Sequence, residues 1–117
     1  MSGSIFVYKN DCMFRVPKDD VQFTDAKDLP CICTIGTNKN ATAVAMEYFE
    51  DEGEYLLDMN TNKTFSSTLF DEASLPSKIG ESIAINQHGQ ITKVSTAKEA
   101  IGIYLGKKGN AVLFKLI

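Results

Sequence analysis

The sequence predicts an all-β fold: a small single-domain β-barrel or β-sandwich with at most one or two short helices. Apolar and polar residues alternate in short runs, as in Ala100 to Leu105 and Ala111 to Ile117, which is the period of a half-buried strand. Turn-forming Gly, Asn, Asp and Pro recur between those runs. A helical apolar stripe is lacking even in the Ala-rich stretch Ala41 to Asn60, the one segment long enough to suggest a helix.

Ser4 to Tyr8 is a β-branched and aromatic run ending at Asn10-Asp11, and Cys12 to Val16 reads as its hairpin partner, stopped by Pro17. Pro17 to Asp20 reads as a loop and Val21-Gln22-Phe23 as a short edge strand. Asp25 to Pro30 is polar, and Pro30 biases Leu29 away from helix. Cys31 to Ile35 is a strand and Gly36 to Asn40 a loop. Ala41 to Asn60 fits a helix from the cap Asn40 to the stop Gly53, or a hairpin. The helix would collect Glu47, Glu50, Asp51 and Glu54 beside Tyr48 and Tyr55 without an apolar stripe. The hairpin places Val44, Met46 and Tyr48 on one face, turns at Glu50 to Gly53, and lines one face of the return with Tyr55, Leu57 and Met59. The hairpin is preferred.

Thr61 to Thr64 is a turn, Phe65 to Phe70 extended, and Asp71 to Lys78 a connection containing Pro76. Ser82 to Asn86 and Ile91 to Val94 flank the turn His88-Gly89. Ser95 to Glu99 connects, with Thr96 and Glu99 at capping-box spacing. Ala100 to Leu105 sets Ile101, Ile103 and Leu105 on one face, Gly106 to Asn110 turns, and Ala111 to Ile117 is the final strand.

The 117 residues are 44% hydrophobic and 23% charged, which suits one domain over residues 1–117 with a core of its own. No run approaches the ~20 apolar residues of a membrane span, and Met1 to Ser4 begins no secretory leader. The net charge is −3 with scattered cations, unlike the basic patch that nucleic-acid binding requires. Neither a membrane nor a nucleic acid is an expected partner.

Three cysteines are too few for a disulfide framework, and suit a chain made and kept in a reducing cytoplasm. Cys31 and Cys33 share one strand face, half of a zinc site, but only Cys12 and His88 remain to complete it. They read as small buried hydrophobes. His88, the one histidine, reads as a turn residue, and no motif of nucleophile, metal or nucleotide chemistry is present. The expectation is therefore no enzyme, with no catalytic, cofactor-binding or metal-binding residue. Glu47, Glu50, Asp51, Glu52 and Glu54 read as a solvated turn. Asp58 to Asn62 begins like a calcium loop, then fails at Lys63, where glycine is needed, and at Leu69, where a bidentate Glu is needed. Asn40-Ala41-Thr42 and Asn62-Lys63-Thr64 match glycosylation sequons, which matter only on secretion. Lys107-Lys108 lacks the surroundings of a lipoyl- or biotin-carrier lysine and reads as a solvated turn.

The last third has a cadence: Ile79-Gly80-Glu81-Ser82-Ile83, then Asn86 to Ile91, then Ala100-Ile101-Gly102-Ile103-Tyr104-Leu105, then Asn110 to Leu116. Residues 79–117 resemble the capsid decoration (head cement) proteins of tailed bacteriophages, many of which carry a Gly-acid-x-apolar strand, a Gly hairpin, an Ala-apolar-Gly-apolar strand and a closing strand. The earlier two-thirds are richer in aromatics, Cys and Met than that family. The resemblance implies a non-enzymatic virion protein, made in the host cytoplasm, that sits on the capsid surface, often as a homo-trimer, and clamps neighbouring major capsid subunits. In that setting Met1 to Ser4 would order only against the capsid.

Gly102 reads as a close backbone approach within a strand. The last strand is apolar on both faces, with Val112, Phe114 and Leu116 on one and Leu113 and Ile117 on the other. Burial on both faces is favoured slightly over contact of one face with another subunit. The alternative function is a head-fibre or adhesin-like domain that stacks host glycans on Tyr48, Phe49 and Tyr55.

Overall fold

A computed structural model describes residues 13–36, 41–96 and 99–117. The expected strand at Ser4 to Tyr8, its turn, Cys12, the capsid-ordered Met1 to Ser4 and most of the loop at Gly36 to Asn40 lie outside the described residues.

Among the described residues ten strands form two antiparallel five-stranded sheets, and the fold is all-β. The first sheet comes from the first half of the chain: β1 (Met13–Pro17), β2 (Val21–Gln22), β3 (Cys31–Ile35), β4 (Ala41–Phe49) and β5 (Glu54–Asp58), in spatial order β1-β5-β4-β3-β2. The second comprises β6 (Phe65–Ser67), β7 (Ser82–Ile85), β8 (Ile91–Lys93), β9 (Gly102–Lys108) and β10 (Ala111–Leu116), in order β6-β10-β9-β7-β8. Two single-turn 3-10 helices, Lys18–Asp20 and Glu72–Ser74, are described in full, and Glu99 is also in 3-10 conformation. The second is capped by Asp71, whose carboxylate accepts from the Ala73 N–H.

The stretch from Ala41 is a hairpin, turning at Glu50–Gly53. A β-bulge changes its faces, however. Ala45 lies opposite Leu57 but Glu47 lies opposite Leu56, so Met46 is the extra residue. Val44 and Met46 stay on the side of the second sheet, while Tyr48 joins Tyr55 on the other side, ring centroids 4.6 Å apart. The expected single row Val44, Met46, Tyr48 is thereby broken. Alternation alone carries no sign of an inserted residue.

The second sheet curls on itself. Beyond β6 the Ile91 N–H donates to the Leu69 carbonyl and the Asp71 N–H to the Ile91 carbonyl, and Phe70 bridges Ile91 in parallel. The chain leaving one edge of the sheet thus reaches β8 at the other edge, a step toward barrel closure. Among the described residues the first sheet stays open, with β1 and β2 at its edges.

Two apolar clusters follow from the two faces of β3 and β4. Ile32 and Val44, cross-strand partners, pack against Ile83, Ile91, Tyr104, Val112, Phe114 and Leu116 of the second sheet. Cys33, Ala43, Ala45 and Leu57 point the other way and join Val16 and Val21. In β9 the core side is Gly102 and Tyr104, whereas the expected apolar row Ile103 and Leu105 is half-buried on the opposite side. The Tyr104 ring takes the core place because it lies opposite Phe114 in the ladder. A Cβ at Gly102 would overlap the Lys115 carbonyl oxygen, the close approach the sequence anticipates. Glu99 sends its carboxylate to the Ser95 N–H, one residue before the Thr96 that capping-box spacing indicated.

Candidate functional site

Cys33 is buried, and desolvation, helped by the neighbouring Cys31, pushes its thiol up to about 12 despite a backbone hydrogen bond at Ala45. Cys31 is raised too, by burial first and by Asp28 second. Both are free thiols held neutral, the reverse of an activated nucleophile. Among the described residues no three His, Cys, Asp or Glu side chains gather as a metal site.

His88 sits in the exposed β7–β8 turn, and its Nδ1 lies 3.0 Å from Asp25 Oδ2. Their separation of 63 positions hid this pair from sequence reasoning. Beside it the Asp25 N–H donates to the Gln87 carbonyl, and Gly89, at φ +76°, packs so closely on Thr24 and Ala26 that a Cβ would collide. The turn and the segment Thr24–Ala26 thus lock the two sheets together. Of the described groups, Gln87 approaches the other ring nitrogen, at 3.5 Å.

The run at Glu50–Glu52 is an exposed turn. The aromatics beside it are half-buried and occupied: Tyr55 meets Phe23 edge-on at 5.0 Å, and the Arg15 guanidinium lies 3.7 Å over the Phe49 ring. The calcium-like segment is also spoken for. Asp58 is fully buried, accepts from the Asn60 N–H, and binds Lys63 Nζ at 2.6 Å. The residue that breaks the calcium pattern is the one that neutralises its first carboxylate. Lys107 and Lys108 end β9 rather than forming a turn, and Lys107 Nζ reaches both carboxylate oxygens of Glu72 at 3.0–3.1 Å.

Two surfaces remain. The first is the outer side of the second sheet. Val112, Phe114 and Leu116 are buried on the inner side of β10, but Leu113 on the outer side is half-buried and Ile117 is 62% exposed. The slightly favoured expectation of burial on both faces is therefore corrected for the described residues: β10 lies between β6 and β9, yet Leu113 is only half-buried and Ile117 is exposed. Leu113 lies opposite Gly106, onto which Ile79, itself 70% exposed, is packed. Ile103, opposite Lys115, extends the same surface.

The second surface is a cleft of about 890 Å³ between the sheets. Ile32, Val44, Met46, Phe65 and Phe114 supply its apolar wall. β6 and the residues following it form one bank, and the segment Asp25–Cys31 with the His88-Gly89 turn forms the other.

No family model matches the chain, no curated protein matches it, and no solved structure matches it. The likeness to capsid decoration proteins rests on the residues of the last third alone.

Proposed function

We propose that this chain is a non-enzymatic structural protein that binds the outer surface of a bacteriophage capsid and stabilises contacts between major capsid subunits. The observation that carries the reading is the second face of β10: an apolar surface of Ile79, Ile103, Leu113 and Ile117, interrupted by Lys115, on a sheet whose other side packs against the first. Exposed apolar patches of this kind on a rigid scaffold mark protein contacts. All four residues lie within 79–117, the region with the decoration-protein cadence. The glycan-binding alternative gains no support, because the rings it needs are engaged with Phe23, Arg15 and one another.

The physics of cementing is mass action. A protein that binds only the assembled shell stabilises it by RT ln(1 + [L]/Kd), and a trimer engaging several sites multiplies a weak single contact. Mixing purified protein with expanded and unexpanded heads tests the proposal. Co-sedimentation with expanded heads, lost in Leu113→Asp, is the expected result; protein left in the supernatant with both kinds of head overturns it.

A further inference from the structure

The apolar outer face of β10 has a cation in its midst. Leu113, Lys115 and Ile117 follow one another at strand alternation on this side, and Ile103 of β9 lies directly opposite Lys115. Lys115 is half-buried. Its Nζ donates to the Leu116 carbonyl oxygen at 3.3 Å, and none of the ion pairs among the described residues includes it. Lys63 and Lys107, by contrast, each hold a carboxylate.

Such an ammonium is well solvated only while water reaches it. A surface that covers Ile103, Leu113 and Ile117 removes that water, and a cation buried without a counter-charge opposes the contact strongly. We infer that the surface docking on this face carries one Asp or Glu carboxylate, set among apolar side chains, that pairs with Lys115 Nζ. The inference rests on the capsid reading and deepens it by assigning the chemistry of the patch on the major capsid subunit. A second copy of this chain does not fit. Two copies meeting through the same face are related by a two-fold axis, which brings the two Lys115 ammonium groups toward each other. Ile79, Ile103, Leu113 and Ile117 supply no counter-charge. The pair would also set the register of docking, which an apolar patch alone leaves loose.

The test has two arms. In the first, heads whose carboxylates have been activated with a water-soluble carbodiimide, then freed of reagent, are mixed with the parent chain, and the new amide links are mapped by mass spectrometry. The expected link joins Lys115 to one Asp or Glu of the major capsid subunit. In the second, Lys115→Met, which keeps an apolar stem, should bind expanded heads at least about thirtyfold more weakly than the parent, because it leaves that carboxylate covered and unpaired. Lys115→Glu should not bind, and should bind again when the linked capsid residue is replaced by lysine. Links through other lysines alone, undiminished binding by Lys115→Met (an ammonium that reaches the rim and stays in water), or failure of the charge exchange would each overturn the inference while leaving the capsid reading intact. Parent chain left in the supernatant would overturn the capsid reading, and the inference with it. The link map uses the parent chain, so poor folding of a variant leaves the test standing.

Discussion

The two sheets contain the same number of strands but are held together differently. The second is packed from within by large side chains, Phe114, Ile83, Ile91, Leu116 and Tyr104, and curls until Phe70 reaches β8. On its far side the first sheet is packed by Ala43, Ala45 and Cys33, with Leu57 as the one fully buried large side chain, and it also buries the carboxylate of Asp58. Small side chains let backbones and covering loops come close but remove little apolar area from water. The larger buried area lies in the second sheet, and the outer face of β10 belongs to it.

The sharpest way to break this comparison is to empty one site in each sheet. Phe114→Ala should cost about 3–5 kcal/mol, the range for deleting a buried phenyl ring, because Phe114 is 2% exposed and stacks on Phe65 at 5.6 Å. Val16→Ala in the first sheet removes two carbons and should cost about 1.5 kcal/mol. Urea unfolding measures both. A cost at Val16 as large as that at Phe114, for two carbons removed against six, would mean that the first sheet is the more tightly packed of the two.

Ion pairs give the next contrast. Among the described residues, Lys63→Met leaves the fully buried Asp58 carboxylate with the Asn60 N–H as its remaining hydrogen-bond donor, and a buried charge stripped of its partner costs about 3 kcal/mol. Lys107→Met in the second sheet should cost under about 1 kcal/mol, since the Glu72 side chain is 72% exposed and water replaces the ammonium. A small effect at Lys63 would show that water reaches Asp58 once the lysine is gone.

These residues also show what could be read in advance. The β3 strand, the edge strand at Val21, the Ala41 hairpin and the clash at Gly102 were legible because each depends on local alternation, turn chemistry or backbone space. The bulge at Met46 was not, because an inserted residue leaves the apolar pattern of its own strand intact and shows only against the partner. The Asp25–His88 pair, 63 positions apart, and the cleft, made by segments distant in sequence, were equally hidden. The Asp58–Lys63 pair lay within one turn, yet the segment read only as a failed calcium loop, since burial of Asp58 depends on β1 and β4 on either side.

Alkaline titration separates the sheets by a different property. The thiol of Cys33, raised to about 12 by burial, stays protonated in the folded chain after it has ionised in the unfolded one. The folded value exceeds the unfolded one, so its stabilisation is complete below the ordinary thiol range near 9 and is lost as pH climbs toward 12. Stability should fall by up to ~1.4 kcal/mol per pH unit across that window. Cys33→Ala should flatten the slope, and alkylation at pH 8 should leave Cys33 unmodified in the native protein. Rapid native-state labelling would mean that the first sheet opens locally far more often than its burial suggests.

The smallest effect is expected where the sheets meet. His88→Ala removes the imidazole from Asp25, but the two side chains are 59% and 75% exposed, and a polar contact so open to water contributes under about 1 kcal/mol. The junction keeps the Asp25–Gln87 backbone hydrogen bond and the seat of Gly89 on Thr24 and Ala26, neither of which involves the imidazole. Urea unfolding in low and high salt should therefore give the same small difference between the parent chain and His88→Ala, and head binding should be unchanged. A loss above about 2 kcal/mol that shrinks in high salt would shift the comparison, because screening acts on exposed charge and not on packing. The joint between an open sheet and a curled one would then be electrostatic, and the cleft between them would widen with salt. Gly89→Ala supplies the opposite control: its Cβ would press into Thr24 and Ala26 at a positive φ, so it should loosen the joint at every salt concentration.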